Sequence, residues 1–182
     1  MILTGGASSR MGMDKGALLI QGVPLAQRIA SSLHGRDIPV TVLGREPLPG
    51  FRFLKDVDEF QGPLIALSAF VPTAQWCLIF SCDLPLFDSD AVMKLLELGE
   101  LQQEEAFIPM VEERLQPLSG LYRSTSFSKI RDVLDDGKRS MMAWLDRIKV
   151  YPVDLETLGV TSDVFKNANT PEDFAKLLSR QE

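Results

Sequence analysis

Histidine and cysteine are scarce in this chain of 182 residues, which has one His and two Cys. Cys77 and Cys82 lie five positions apart without a CxxC motif or a Cys/His cluster, so a zinc site is not expected. A Ser-His-Asp triad would need His34, and no supporting signature surrounds that residue. We expect both cysteines to be reduced thiols, which is typical of a cytoplasmic protein.

The sequence also lacks an excess of positive charge and any long apolar run. Its formal net charge is -6, whereas proteins that bind long nucleic acids usually carry a basic face. No apolar segment approaches the ~20 residues that span a bilayer, and no signal peptide is recognisable. We therefore expect neither a long nucleic acid nor a membrane as partner. A small anion can still be held by local donors.

Strands and helices alternate through the first hundred residues. Apolar runs at 1–3, 39–43, 51–54 and 76–81 predict strands, and the last of these is typical of a strand covered on both faces. Helical spacing predicts helices over 24–33, 62–71 and 89–99. The pattern predicts an α/β fold with a mostly parallel sheet and helices on both faces, in one domain over residues 1–182. Ligands of such sheets bind at the carboxyl ends of the strands.

The rest of the chain continues with three further strands, at 106–109, 118–122 and 149–153. Ser89, Ser140 and Thr170 are predicted to cap helices, with Pro171 in the first turn of the last one. Met141, Met142 and Trp144 are expected in the core rather than at a cofactor. The first strand is short, as it would be if the chain began upstream of Met1.

A glycine-rich loop directly follows the first strand at residues 3–15. Gly5 and Gly6 allow close approach of the backbone, and successive N–H groups in such a loop can bind an anion. Arg10 can fork onto phosphate oxygens, while Lys15 supplies a point charge. The spacing is neither that of a P-loop nor that of a dinucleotide fingerprint. The alternative is a mobile surface turn, but the Arg and Lys beyond the glycines favour a triphosphate site.

Two later positions carry groups that suit a hard cation. Asp83 follows the apolar strand at 76–81, and a carboxylate there suits Mg²⁺ with substrate phosphates. The alternative for Asp83 is a turn or cap before Pro85. Asn169 lies in an asparagine-rich segment before the last helix, where its amide could ligate a cation or simply form a turn.

Three segments together resemble the molybdenum cofactor guanylyltransferase family. They are LTGGASSRMGMDK at 3–15, CDLP at 82–85 and NANTPED at 167–173, in the family's order and across nearly the whole chain. The resemblance implies a Rossmann-like nucleotidyltransferase fold. It also implies transfer of GMP from GTP to molybdopterin with Mg²⁺, forming the guanine dinucleotide cofactor and pyrophosphate. Transient contact with proteins of the cofactor pathway or of molybdoenzyme maturation would accompany that role.

The resemblance also implies roles for single residues. The nucleotide would contact Leu3, Thr4, Gly5, Gly6, Lys15, Asp56 and Asp83. Mg²⁺ would be held by Asp83, with Asn169 as a second ligand by analogy with sugar nucleotidyltransferases. Arg10, Lys15 and Asp83 would be the catalytic residues, because they neutralise the triphosphate and fix in-line geometry.

Two departures from the family pattern bear on base selectivity. The residues around Leu43 contain no asparagine, although the family often has one there, and Thr4 replaces a common alanine. Gly5 and the Gly62-Pro63-Leu64 segment match the guanylyl branch rather than its cytidylyl sister. A CTP-dependent cytidylyltransferase, a sugar-phosphate nucleotidyltransferase and a nucleotide-binding module without turnover are the alternatives, and the last is disfavoured because both Lys15 and Asp83 are present.

Overall fold

A computed structural model describes residues 1–4, 19–20, 22–56, 61–168 and 170–179 of the chain. Its strands are β1 (Ile2–Leu3), β2 (Leu19–Ile20), β3 (Val23–Pro24), β4 (Thr41–Gly44), β5 (Arg52–Lys55), β6 (Trp76–Ser81), β7 (Ala106–Val111), β8 (Arg114–Leu115), β9 (Ser119–Arg123) and β10 (Val150–Val153). Its α-helices are α1 (Leu25–His34), α2 (Pro63–Ser68), α3 (Ser89–Leu101), α4 (Ser128–Asp135), α5 (Met141–Leu145), α6 (Leu155–Leu158) and α7 (Pro171–Leu178). Two 3-10 turns span Ser124–Phe127 and Ser162–Phe165.

One sheet of eight strands organises this part of the chain. The order is β10-β7-β9-β6-β1-β4-β5, with β8 paired to β7. β1 pairs in parallel with both β4 and β6, β4 pairs in parallel with β5, and β10 with β7. β9 runs antiparallel to both of its neighbours, and β8 runs antiparallel to β7. The predicted α/β fold with a mainly parallel sheet is therefore confirmed.

Helices cover both faces of the sheet, as the apolar strands predict. One buried cluster joins α1, α3 and α6 to the strand residues Ile2, Val42, Leu78 and Phe80. The other joins α2, α4 and α5 to the strand residues Leu3, Leu43, Cys77 and Ile79. Successive residues of β6 thus belong to opposite clusters, which is why this strand is an unbroken apolar run rather than an alternating one.

The second cluster is built around Trp144, whose side chain is fully buried. Its ring stacks on Tyr122 with centroids 4.6 Å apart, and its Nε1 donates a hydrogen bond of 3.1 Å to the carbonyl of Ser126. Met141 is also buried, but Met142 is 46% exposed, so the expectation of a core position is wrong for that residue. The other four residues of this five-residue helix are buried, and Met142 is the one that faces away from the core.

Several helix limits differ from the sequence prediction by a few residues. Asp88, rather than Ser89, caps α3: its carboxylate accepts from the amides of Asp90 and Ala91. Aspartate and serine are both good helix caps. Asp88 stands one position before Ser89, and it is the Asp88 carboxylate that reaches the amides of the first turn. α3 also continues past Gly99 to Leu101, and α2 ends at Ser68 instead of Val71. Ser140 caps α5, and Pro171 begins α7, as predicted.

Candidate active site at the carboxyl ends of the central strands

The four parallel strands β6, β1, β4 and β5 end side by side at the same edge of the sheet. The register pairs Leu3 with Leu43 on one side and with Ser81 on the other. The ladder continues one residue beyond the strands, since the Thr4 amide donates to the Leu43 carbonyl at 2.9 Å and the Cys82 amide to the Leu3 carbonyl at 3.1 Å. The residues that follow β1 and β6 are thus held side by side.

This edge contains the point where the strand order reverses. From β1 the chain proceeds outward through β4 to β5, and it then returns to form β6 on the opposite side of β1. Sheets of this class bind their ligands in the crevice at such a reversal of strand order. Thr4 directly follows β1, and Asp83 lies two residues beyond the end of the neighbouring strand β6. Two of the sequence-predicted site residues therefore lie at the edge where this class of sheet binds its ligands.

Asp83 is one of the few charged residues that the fold buries. It is 8% exposed, and its Oδ1 atom is shielded from solvent. An ionised carboxylate in such a position needs compensation by a cation or by hydrogen bonds. Its donor chemistry is that of a hard oxygen ligand, which fits Mg²⁺ together with phosphate oxygens. The placement predicted from the apolar run of β6 is confirmed, whereas its metal role stays a prediction.

The C-terminal segment of the chain reaches the same place. The amide of Ala168 donates a hydrogen bond of 3.0 Å to the backbone carbonyl of Asp83, and Ala168 is fully buried. Sequence reasoning grouped these segments only through the family resemblance, because no local signal reports a contact across 85 positions. The small side chain of Ala168, flanked by polar residues, is the feature that could have indicated a close approach.

The structure describes only some of the residues predicted to bind the nucleotide, and the binding roles of all of them stay predictions. Leu3 is buried under the edge at 6% exposure, and Thr4 is half-buried, with its hydroxyl donating to the Leu43 carbonyl at 3.4 Å. Asp56 directly follows β5, and its amide donates to the Gly44 carbonyl at 2.7 Å. These three residues lie along the same edge as Asp83. Gly5, Gly6, Arg10, Lys15 and Asn169 lie outside the described residues, so the predictions about them stay predictions.

The first turn of α2 lies in the connection that leaves the carboxyl end of β5. Gly62 precedes it with φ +104° and ψ 165°, and Pro63 occupies the first helical position. Beside this turn, the Arg139 Nη1 atom donates a hydrogen bond of 2.5 Å to Gln61 Oε1. The contact joins the start of α2 to the loop between α4 and α5. Sequence analysis matched the Gly62-Pro63-Leu64 segment to the guanylyl branch and did not identify Arg139.

The described residues contain no group of three or more His, Cys, Asp or Glu side chains arranged to hold a metal. They also contain no helix long and apolar enough to cross a bilayer.

A small cavity of about 20 Å³ lies beneath α3, lined by Phe80, Leu84, Phe87 and Ser119 among others. It has room for about one water molecule and is not a substrate pocket.

Comparison with known proteins adds relatives over most of the chain. A molybdenum cofactor guanylyltransferase of Yersinia pestis is 31% identical, covering 95% of this chain and 91% of its own. A probable molybdenum cofactor guanylyltransferase of Nostoc sp. is also 31% identical, covering 96% of this chain and 87% of its own.

Solved structures resemble the fold. The molybdopterin-guanine dinucleotide biosynthesis protein A of Archaeoglobus fulgidus superposes with a TM-score of 0.80 at 20% identity, over 100% of this chain and 98% of its own. The 2-C-methyl-D-erythritol 4-phosphate cytidylyltransferase of Thermus thermophilus reaches 0.69 at 16% identity, over 98% and 96%. At these identities the likeness is one of fold.

The fold and these relatives together define a nucleotidyltransferase of the Rossmann-like α/β class. Within that class the chain belongs to the MobA-like NTP transferase domain family, whose model matches residues 1–149. The family identified from the three sequence segments is thereby confirmed.

Proposed function

We propose that this chain transfers GMP from GTP to molybdopterin, forming the guanine dinucleotide cofactor and pyrophosphate. The observation that carries the proposal is the buried carboxylate of Asp83 at the strand reversal, next to the residues that follow β1. The names of the relatives supply the substrates, and the arrangement of the site is compatible with them. Mg²⁺ would serve as the metal, and a cytoplasmic location is expected for such an enzyme.

The chemistry needs charge neutralisation more than proton transfer. An oxygen of the acceptor's phosphate monoester would attack the α-phosphorus of GTP, a new P–O bond would form, and the bond to the β-phosphate oxygen would break to release pyrophosphate. The attacking phosphate is largely ionised at neutral pH, so no general base is required. The barrier comes from bringing two anions together in line, which positioned cations reduce.

The residues of this chain divide that work between two sides of the crevice. Thr4 and the loop after it would hold the nucleotide, with Lys15 and Arg10 on its phosphates. Asp83, with Asn169 as the second candidate ligand, would hold Mg²⁺, whose chemistry is to neutralise the triphosphate and orient its oxygens. Burial of Asp83 favours this role because a carboxylate removed from water binds a cation more strongly than an exposed one does.

Guanine selectivity would come from the other edge of the nucleotide site. Gly5 would let the backbone approach a purine closely, and the first turn of α2, fixed by the Arg139–Gln61 contact, would close the far side of the base. A polar pocket built for guanine rejects cytosine because its buried groups would be left unpaired. The absence of an asparagine near Leu43 is the feature that could relax this selectivity.

The test of substrate choice is a competition assay. Purified protein receives molybdopterin, Mg²⁺ and equal concentrations of labelled GTP and CTP, and the dinucleotide product is analysed. We expect GMP to be incorporated in strong preference to CMP. Equal incorporation or a CTP preference would refute the guanylyl assignment and favour the cytidylyl alternative. No transfer from either nucleotide to molybdopterin would refute the acceptor and leave the family membership intact.

The role of Asp83 is tested by Asp83→Asn with a matched control. The amide keeps the size of the side chain but loses its charge, and we expect transfer to fall by about a hundred-fold or more. Asp88→Asn is the control, because asparagine caps a helix about as well as aspartate and Asp88 caps α3 outside the site. Near-normal turnover of Asp83→Asn at saturating Mg²⁺ would remove Asp83 from the metal role.

A further inference from the structure

The first residues beyond the strands β1, β6, β5 and β4 carry different chemistry. These residues are Thr4, Cys82, Asp56 and Arg45, and Arg45 is the only cation among the four. Arg45 and Asp56 are both half-buried. A guanidinium that water reaches only in part interacts more strongly with a ligand than a fully exposed one does. Arg45 is therefore a candidate donor at this edge of the sheet.

Backbone bonds fix the strand end that carries Arg45. β4 lies between β1 and β5, and its last two residues, Leu43 and Gly44, are buried. The Leu43 carbonyl accepts from the Thr4 amide at 2.9 Å, and the Gly44 carbonyl accepts from the Asp56 amide at 2.7 Å. The second bond brings Asp56 beside Gly44, one residue before Arg45. A basic and an acidic residue therefore follow each other on neighbouring strand ends.

Arg45 lies on the base side of the proposed nucleotide. β4 is separated from β6 by one strand, β1, which places the two about 10 Å apart. The proposed function puts the metal and the phosphates at Asp83, just beyond β6. A nucleotide carries its base at the end opposite its phosphates, so the base would lie over the ends of β4 and β5. The connection to α2 leaves the sheet at the same place.

We propose that Arg45 is a specificity-determining residue that recognises guanine. Its planar guanidinium donates two hydrogen bonds, to the O6 and N7 atoms of the base, which is the pairing by which arginine reads guanine in DNA. Adenine carries an amino group in place of O6, and cytosine has no N7. The neighbouring Asp56 carboxylate complements the N–H donors that guanine carries next to O6. This inference rests on the proposed function, because it assigns one contact of the base selectivity proposed there.

The test uses 7-deaza-GTP, in which carbon replaces N7 and one of the two acceptors is lost. Binding of GTP, 7-deaza-GTP and CTP, each with Mg²⁺ and without the acceptor substrate, is measured by titration calorimetry. We expect the wild type to bind 7-deaza-GTP about five-fold more weakly than GTP. Arg45→Ala should bind GTP about ten-fold more weakly than the wild type does, should bind GTP and 7-deaza-GTP equally, and should bind CTP as the wild type does.

Two further variants separate base recognition from charge. Arg45→Lys keeps the positive charge without the planar fork, so it should lose most of the discrimination between GTP and 7-deaza-GTP. Arg52→Ala removes an exposed arginine from the first position of β5, at the opposite end of that strand. It lowers the net charge by the same amount as Arg45→Ala and should leave all three affinities unchanged.

The outcomes separate this inference from the proposed function. Equal affinity of the wild type for GTP and 7-deaza-GTP would overturn the inference, and that comparison stands even if Arg45→Ala does not fold. Equal weakening of GTP and CTP in Arg45→Ala would overturn it as well, because Arg45 would then contact the phosphates or the ribose. A wild type without any preference for GTP over CTP would instead refute the guanylyl assignment, and the inference with it.

Discussion

Replacing Gly62 by alanine tests how the start of α2 is built. Gly62 has φ +104° and ψ 165°, a region that L-residues essentially never occupy. Among the described residues, a Cβ placed on it would find only the Arg139 carbonyl oxygen within 4 Å, at 3.9 Å. The substitution therefore introduces backbone strain without a clash against these residues, and we expect the strain to be its main direct effect.

The magnitude follows from that backbone conformation. Residues forced into such a region cost about 1–3 kcal/mol, and at about 2 kcal/mol a chain of this size loses about 4–8 °C in Tm. Gly35→Ala supplies a control of opposite sign, because Gly35 has φ -65° and ψ -11°. Alanine fits that conformation and should stabilise the protein by about 0.4–1 kcal/mol through the unfolded state.

The assay is urea unfolding of both variants, followed by steady-state kinetics of Gly62→Ala. Relief of the strain would move the peptide between Gln61 and Pro63, which disturbs the contact with Arg139. We therefore expect the KM for GTP to rise in Gly62→Ala and to stay unchanged in Gly35→Ala. A Gly62→Ala protein as stable as the wild type would refute the strain argument. Lost stability with an unchanged KM would separate α2 from the base pocket.

Two further predictions concern stability. Gly120→Ala should cost about 1–3 kcal/mol in urea unfolding because its Cβ would meet Ile108 Cδ1 at 2.5 Å inside the sheet; unaltered stability would show that Ile108 moves aside freely. Burial raises the pKa of Glu105. Hydrogen bonds from the Lys129 ammonium and the Lys149 amide lower that pKa by more than burial raises it, so the pKa of Glu105 lies below its usual value. The pair's stabilisation is then present above the unfolded-state pKa and is lost as pH falls through the folded-state pKa. Glu105→Gln should be about 1 kcal/mol less stable at neutral pH and equal to wild type in acid; a deficit that persists in acid would contradict this.

The sequence predicted most of the central sheet because its strands carry local signals. The apolar run of β6 and the caps at Ser140 and Thr170 depend on neighbouring residues only, and both were correct. Strand direction is a different matter, since the antiparallel run of β9 follows from pairing with β6 and β7 rather than from its own pattern. Single-domain organisation over residues 1–182 stays a prediction.

Short paired elements escaped the sequence analysis for a related reason. β8 follows β7 through Glu112 and Glu113, which adopt φ +48° and +62°. Such a turn normally carries Gly or Asn, and two glutamates give no turn signal. The β2–β3 hairpin is two residues long on each side and has too little pattern to detect. In both cases tertiary context overrides local preference.

At the candidate site, the Asp83 carboxylate could be predicted from the sequence, whereas the main-chain hydrogen bonds that join the segments of the site could not. Asp83 could be assigned from the strand before it, yet its relation to the other two segments depends on backbone bonds between distant residues. The Cys82 amide joins the Leu3 carbonyl, and the Ala168 amide joins the Asp83 carbonyl. All four partners are main-chain groups.

Because main-chain bonds join its segments, the site should tolerate many side-chain substitutions at the bonded positions. Side-chain substitution at Cys82 or Ala168 leaves the amide donors in place, provided that the new side chain fits the buried space, whereas proline at either position removes the donor outright. The Asp83 side chain is not itself one of these main-chain donors or acceptors. Removing its charge therefore leaves these main-chain bonds in place, so a loss of transfer in Asp83→Asn would not come from the loss of these bonds.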